Sequence, residues 1–245
     1  MKHTIKRTTA AAFALVAIAA AHAQDKPDGL FHGSASLGAA FSSGAVNNTT
    51  LSGAFDTAKK TDGDKLSFYG LAARGSTKVG NTTSVTNDLY RLGGRYDRDL
   101  SKQTFAFVSG DVEKNGVTNL DLRTAVYVGG GYHVIAAPST TFDVFGGVGY
   151  NRSKYSFDTV SGAELIVGEE SSHKLSETTT FKQRLAVYPG FKSDNGYRAT
   201  FDASLAVAMG GGWNMNAGLA ARYANKIYIV KKTETLLTLG FGYKF

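Results

Sequence analysis

A hydrolytic reaction needs a general base within hydrogen-bond reach of a nucleophile, so the histidines are where chemistry would start. Of five, His3 and His22 fall in the leader described below, which leaves His32, His133 and His173. His32-Gly33-Ser34 puts an imidazole and a hydroxyl two residues apart, on one face of an extended strand. That face is read as inward and at the periplasmic start of its strand, away from any lipid substrate, and a polar structural role is favoured over a base and nucleophile. His133 and His173 show no paired carboxylate and serine in the sequence pattern. Glu164, Glu169 and Glu170 could gather around a divalent cation, but their spacing matches no defined cation loop and they are expected to be solvated. There is no cysteine, hence neither disulfide nor thiolate metal site. The expectation is no catalytic residue, no metal and no cofactor.

Arginines carry the better hint. When each strand is read by parity, Arg91, Arg95, Arg123, Lys182, Arg184, Arg198 and Arg222 point inward, against Asp97, Asp121, Asp143 and Asp202. Rings of cations lower the barrier for anions, so these residues could line a narrow, mildly anion-preferring pore for small solutes. The competing reading is a lumen plugged by Arg–Asp networks that balance buried charge. The sequence weighs the two equally.

The elements that would position them are strands. Period-2 alternation runs along nearly the whole chain. In the last segment Thr235, Leu237, Leu239, Phe241, Tyr243 and Phe245 share one face, Thr238, Gly240, Gly242 and Lys244 the other, and Leu236 breaks the rule. Such a strand separates lipid from a wet, charged interior. Most runs reach 10 residues or more, the length of a tilted transmembrane strand, whereas globular strands average about 5 or 6. Pro27, Pro138 and Pro189 fall between the runs, while Gly129-Gly130-Gly131 and Gly146-Gly147 fall within them, as suits a curved, closed sheet.

The pattern predicts an all-β, transmembrane, antiparallel up-and-down barrel of about 12 strands, with 10 or 14 as the even-numbered alternatives. The segments are 31–42, 48–58, 65–75, 84–97, 104–113, 119–134, 141–154, 162–174, 179–188, 197–209, 213–224 and 234–245, of which 162–174 is the weakest. Periplasmic turns are expected to be short, as at Gly210 to Gly212, and most outer connections longer, as at Ser76 to Thr83 and Tyr155 to Ser161. Tyr132, Tyr197, Trp213, Tyr223 and Tyr243 lie near run ends, where amphipathic rings would form interfacial girdles.

Ahead of all this, Lys2, Lys6 and Arg7 precede an apolar run from Ala10 to Ala21 and the small-residue site Ala21-His22-Ala23. This is the pattern of a cleaved secretory signal over residues 1–23, leaving one barrel domain over 24–245. Its loss lowers the formal charge from +7 to +4, and the remaining cations are dispersed, which argues against a nucleic-acid partner.

The terminal phenylalanine, with Leu239, Phe241 and Tyr243 at alternate positions before it, looks like the signal that barrel assembly machinery reads. Further stretches are Ser43-Gly44 leading to Asn48-Thr49, then Tyr96-Asp97 with Leu100-Ser101 and Phe105-Ala106-Phe107, and Leu120-Asp121-Leu122-Arg123 followed by Gly129-Gly130-Gly131-Tyr132. Together these resemble the uncharacterised outer-membrane family labelled salt-induced outer-membrane protein. Leu175-Ser176 before Phe181 and the closing Leu239-Gly240-Phe241-Gly242-Tyr243-Lys244-Phe245 continue the resemblance. It departs after the first strand, where an expected compact turn is spread over Gly44 to Thr50. What it implies is an outer-membrane barrel with no established substrate and no catalytic residues to carry over. The partners expected are outer-membrane lipid, the assembly machinery and small anionic solutes. The functional readings are a small channel, a structural or salt-stress envelope barrel without transport, and, third, an envelope-lipid hydrolase.

Overall fold

The structure is a computed structural model and describes residues 27–42, 46–191, 196–225 and 232–245. The expected leader over 1–23 and the Ser43-Gly44 element lie outside the described residues.

Twelve antiparallel strands close into one barrel. They are β1 (Phe31–Ser42), β2 (Val46–Lys60), β3 (Asp64–Val79), β4 (Thr82–Asp99), β5 (Thr104–Asn115), β6 (Leu120–Ala137), β7 (Thr140–Tyr155), β8 (Thr159–Lys174), β9 (Thr179–Pro189), β10 (Tyr197–Gly210), β11 (Trp213–Ala224) and β12 (Thr233–Lys244). Each pairs with its sequence neighbours, and the seam closes through Ser34↔Lys244 to Leu37↔Phe241. Closure pairs the first strand with the last, so among the described residues the sheet has no free edge strand. The weakly patterned 162–174 segment is a full strand, β8, paired with β7 along its length and with β9 from Val167↔Val187 onward.

Both described termini sit at one rim, the terminal rim, where Gly210, Gly211 and Gly212 turn β10 into β11 with φ of 95°, 60° and 83°. Only glycine adopts such a run without strain. The opposite, distal rim differs from expectation. There β3 and β4 are joined by Gly80 and Asn81 alone, β5 and β6 by a 3-10 turn over Gly116–Thr118, and β7 and β8 by residues 156–158. The strands simply continue past the apolar alternation: Ser76, Thr77, Lys78 and Val79 pair with Val85, Ser84, Thr83 and Thr82. Backbone pairing does not require an apolar face, so polar side chains extend the ladder beyond the membrane.

Large apolar side chains are exposed on the outward face, as Leu37, Leu92, Val126, Val148, Leu239 and Phe241 show. The inward face is not uniformly wet. Phe105, Phe107, Ala125, Tyr127, Phe145, Ile166, Ala186 and Tyr188 form one buried cluster. Leu71, Ala73, Leu89, Ala220 and Leu236 form a second, which joins β3 and β4 to β11 and β12 across the lumen. Leu236, the exception in the last segment's alternation, is thus an anchor of the second cluster. The glycines receive the aromatics of the first: a Cβ at Gly131 would collide with the Phe105 ring, and one at Gly129 with Phe107.

Candidate functional site

Charged side chains from the inward faces meet in three layers. In the distal layer, Arg91 lies 3.7 Å from Asp111 and 3.9 Å from Glu113, and Arg123 lies 3.4 Å from Glu113 while its Nε donates to Ser153 Oγ at 3.0 Å. Asn115 donates to Glu234 at 3.0 Å, from β5 to β12 on the far side of the barrel. Arg222 is the register partner of Glu234 and completes this layer.

At the waist, Arg198 on β10 donates to Glu164 Oε1 on β8 at 2.6 Å and to the Tyr127 hydroxyl on β6. Tyr127 in turn donates to the same carboxylate, and the Arg198 guanidinium stacks 3.7 Å from the Tyr188 ring centroid. Toward the terminal rim, Glu170 on β8 gathers three cations: Arg95 at 3.6 Å, Arg184 at 3.9 Å and Lys65 at 4.0 Å. Arg95 also donates to Asp97 at 2.7 Å and packs over Phe107 and Phe145, 4.4 and 5.0 Å from their centroids. Lys65 and Arg95 come from β3 and β4, nearly opposite β8, so Glu170 ties two walls together.

Below this layer a polar vestibule of about 650 Å³ opens, lined by Asp99, His133, Asp143, Lys182, Arg184 and Asp202 among others. His133 sits 2.7 Å from Asp143 and 3.4 Å from Asp99, so it does have carboxylate partners, reached across strands rather than along the chain. His173 lies on the outward face of β8, 3.2 Å from Ser171 Oγ and stacked on Phe181. The His32-Gly33-Ser34 stretch separates into two local pairs, His32 with Asp28 at 2.7 Å and Ser34 donating to Asp56 at 2.8 Å.

The structure thus brings Arg91, Arg95, Arg123, Arg184, Arg198 and Arg222 into the lumen layers and Asp143, Lys182 and Asp202 into the vestibule. Asp121 requires correction. A bulge between Leu120 and Leu122 turns Leu120 inward and leaves Asp121 exposed, where it accepts from Ser156 Oγ at 3.1 Å. Glu164 and Glu170, expected to be solvated, are instead the carboxylates around which the waist and terminal layers form. Sequence reasoning also passed over Asp111, Glu113 and Glu234. Each shares the inward parity of its strand, which was the available signal. With them the lumen balances its arginines rather than presenting an excess of cations.

Leu239, Phe241, Tyr243 and Phe245 all lie exposed on the outward face beside the β1–β12 seam, and Tyr243 meets Trp213 edge-on at 5.4 Å. Among the described residues no helix is long and apolar enough to cross a membrane, and no cluster of side chains is arranged to hold a metal ion.

A family model described as "Protein of unknown function, DUF481" matches residues 35–245. No curated protein matches the sequence. Among solved structures the chain is similar to the translocator domain of the autotransporter NalP from Neisseria meningitidis, at 15% identity, with 88% of this chain and 87% of that one covered and a TM-score of 0.46. It is also similar to the NanC porin, at 12% identity, 87% and 100% coverage and a TM-score of 0.49. A third is an outer-membrane channel from Pseudomonas putida F1, at 12% identity, 88% and 93% coverage and a TM-score of 0.47.

Proposed function

From a chain that belongs to the DUF481 family of proteins of unknown function, we propose an outer-membrane barrel whose lumen rests closed. It would serve the envelope as a sealed structural element rather than as a standing pore. The observation that carries this is the meeting of side chains from opposite walls: Lys65 and Arg95 on Glu170, Asn115 on Glu234, and Leu71 and Leu89 with Leu236. A water-filled channel would leave inward residues wet, yet Phe107, Tyr127, Arg95 and Glu164 are all buried. The outward apolar face supports residence in the outer membrane, with the terminal rim in the periplasm and the outward row from Leu239 to Phe245 as the assembly signal. A role in salt or osmotic stress, implied by the family resemblance, suits a barrel that does not leak.

A second reading, the narrow, mildly anion-preferring channel, rests on one observation. Arg91 Nε, Arg198 Nε, and Nε and Nη2 of Arg222 are buried donors without a hydrogen-bond partner among the described residues, available to a small anion. The balanced lumen charge weighs against a standing preference. Planar-bilayer recording of the purified wild-type protein separates the two. The closed reading expects no steady current in chloride salts, whereas a persistent anion-selective conductance would replace it with the channel.

A further inference from the structure

The outward wall over β1 to β4 is dented. Its floor is made of outward-facing residues too small to fill a flat wall: Ala39, Gly53, Gly70 and Ala72. Above them Leu37, Leu51, Leu92, Leu239 and Phe241 rise as the sides of an apolar groove. It has two lobes of about 1020 and 820 Å³, which share Leu37, Gly53, Ala72, Tyr90 and Phe241. The dent is held from within, because on the inner side of the same strands Leu71, Ala73 and Leu89 are drawn across the lumen onto Ala220 and Leu236.

Cations stand at the distal end of this groove. Arg74 borders one lobe and Lys114 the other, both exposed and outward by parity, and neither forms an ion pair with a described residue. Asp88, the register partner of Arg74, has its carboxylate beside Gly116. Tyr90 lies between the two, as the register partner of Lys114 and the diagonal neighbour of Arg74. Arg74 and Lys114 are two strands apart and offset by two residues, about 12 Å at ordinary strand geometry, so two long side chains can converge on one headgroup. Exposed cations beside an aromatic ring at the end of an apolar surface are the arrangement that meets an anionic lipid at its interface.

We propose that the dented wall is a binding groove for a phosphate-bearing lipid of the distal leaflet. Its acyl chain would lie over Gly53, Gly70 and Ala72, and its phosphate would be held by Arg74 and Lys114. The groove is ready-made on the closed barrel and needs no movement of the lumen side chains.

The test is native mass spectrometry of the folded barrel released from detergent after titration with phosphatidylglycerol, phosphatidylcholine or inorganic phosphate. The wild type should retain one phosphatidylglycerol and prefer it to phosphatidylcholine by about 30-fold, since each basic contact contributes about a factor of five. The double substitution Arg74→Ser with Lys114→Ser should erase that preference. Ala72→Phe, which raises the groove floor, should abolish retention of both lipids while folded mobility on gels is kept. Should Ala72→Phe fail to fold, the headgroup pair decides alone, because both of its positions are exposed. Equal retention of the two lipids by the wild type, binding of inorganic phosphate alone, or a dimer that Ala72→Phe dissociates would each overturn the proposal.

Discussion

Removing the Glu170 carboxylate by Glu170→Ala strands three cations that the structure has drawn together from β3, β4 and β9. Lys65, Arg95 and Arg184 lie 4.0, 3.6 and 3.9 Å from it, and the Glu170 side chain is 12% exposed. At about 4 Å and an effective dielectric of about 20, each contact is worth roughly 4 kcal/mol before desolvation. Desolvation takes back most of that, and the net cost of stripping one partner from a buried pair is about 3–5 kcal/mol. With a urea slope of about 1–3 kcal/mol per molar, the unfolding midpoint in detergent micelles should fall by at least about 1 M. Mutual repulsion of the three cations should also part the walls, so brief openings should appear in bilayer recordings where the wild type stays shut. A cycle with Arg95→Leu isolates the pair, and its coupling should account for a large share of the loss. An unchanged midpoint together with a silent trace in Glu170→Ala would refute the reasoning, since the carboxylate would then be tying nothing together.

Other expectations follow from single sites. Leu236→Ala removes an anchor of the cross-lumen cluster and should cost about 2–5 kcal/mol in urea unfolding, whereas Leu237→Ala, on the outward face, should cost less. Gly131→Ala sets a methyl against the Phe105 ring and the Val144 carbonyl and should destabilise by about 1–3 kcal/mol, with Phe105→Ala in the same chain relieving only the ring's part of the clash in a thermal melt. Asp28, before β1, has its carboxyl held below the usual aspartate range by the Leu30 backbone N–H and then by His32. Its small contribution should be present above the unfolded value of 3.8 and lost as pH falls through the lower folded value, seen as a carbon-detected titration midpoint under 3.8 that Leu30→Pro raises.

The sheet was legible because alternation is a local signal and lipid enforces it residue by residue. Even β8, whose GAELIVGEESSHK pattern is poor, appears where an even strand count demanded it. The lumen was less legible for a physical reason: parity reports which way a side chain points, not what it meets across a cavity. Arg95 and Glu170 are distant in sequence and belong to strands that never pair, so nothing local announces their contact. Parity also fails at a bulge, where one extra residue flips the face, and Asp121 next to Leu120 is the case here. Leu236 was visible as an anomaly, and its meaning became clear only once Leu71 and Leu89 stood opposite it.

The closed lumen and the outer groove are two faces of one wall. Leu71 and Ala73 point inward onto Ala220 and Leu236, and the residues alternating with them, Gly70 and Ala72, form the groove floor. In the closed reading proposed above, an inward draw of β3 would narrow the lumen and deepen the groove together. A ligand that favours the dented wall must then favour the closed lumen to the same extent, because coupling between two sites on one equilibrium is reciprocal. The consequence is measurable in a variant that opens: phosphatidylglycerol added to Glu170→Ala should shorten its open dwells and raise its urea midpoint. Phosphatidylcholine should do neither, and lipid-independent openings would mean that the wall does not move as one piece.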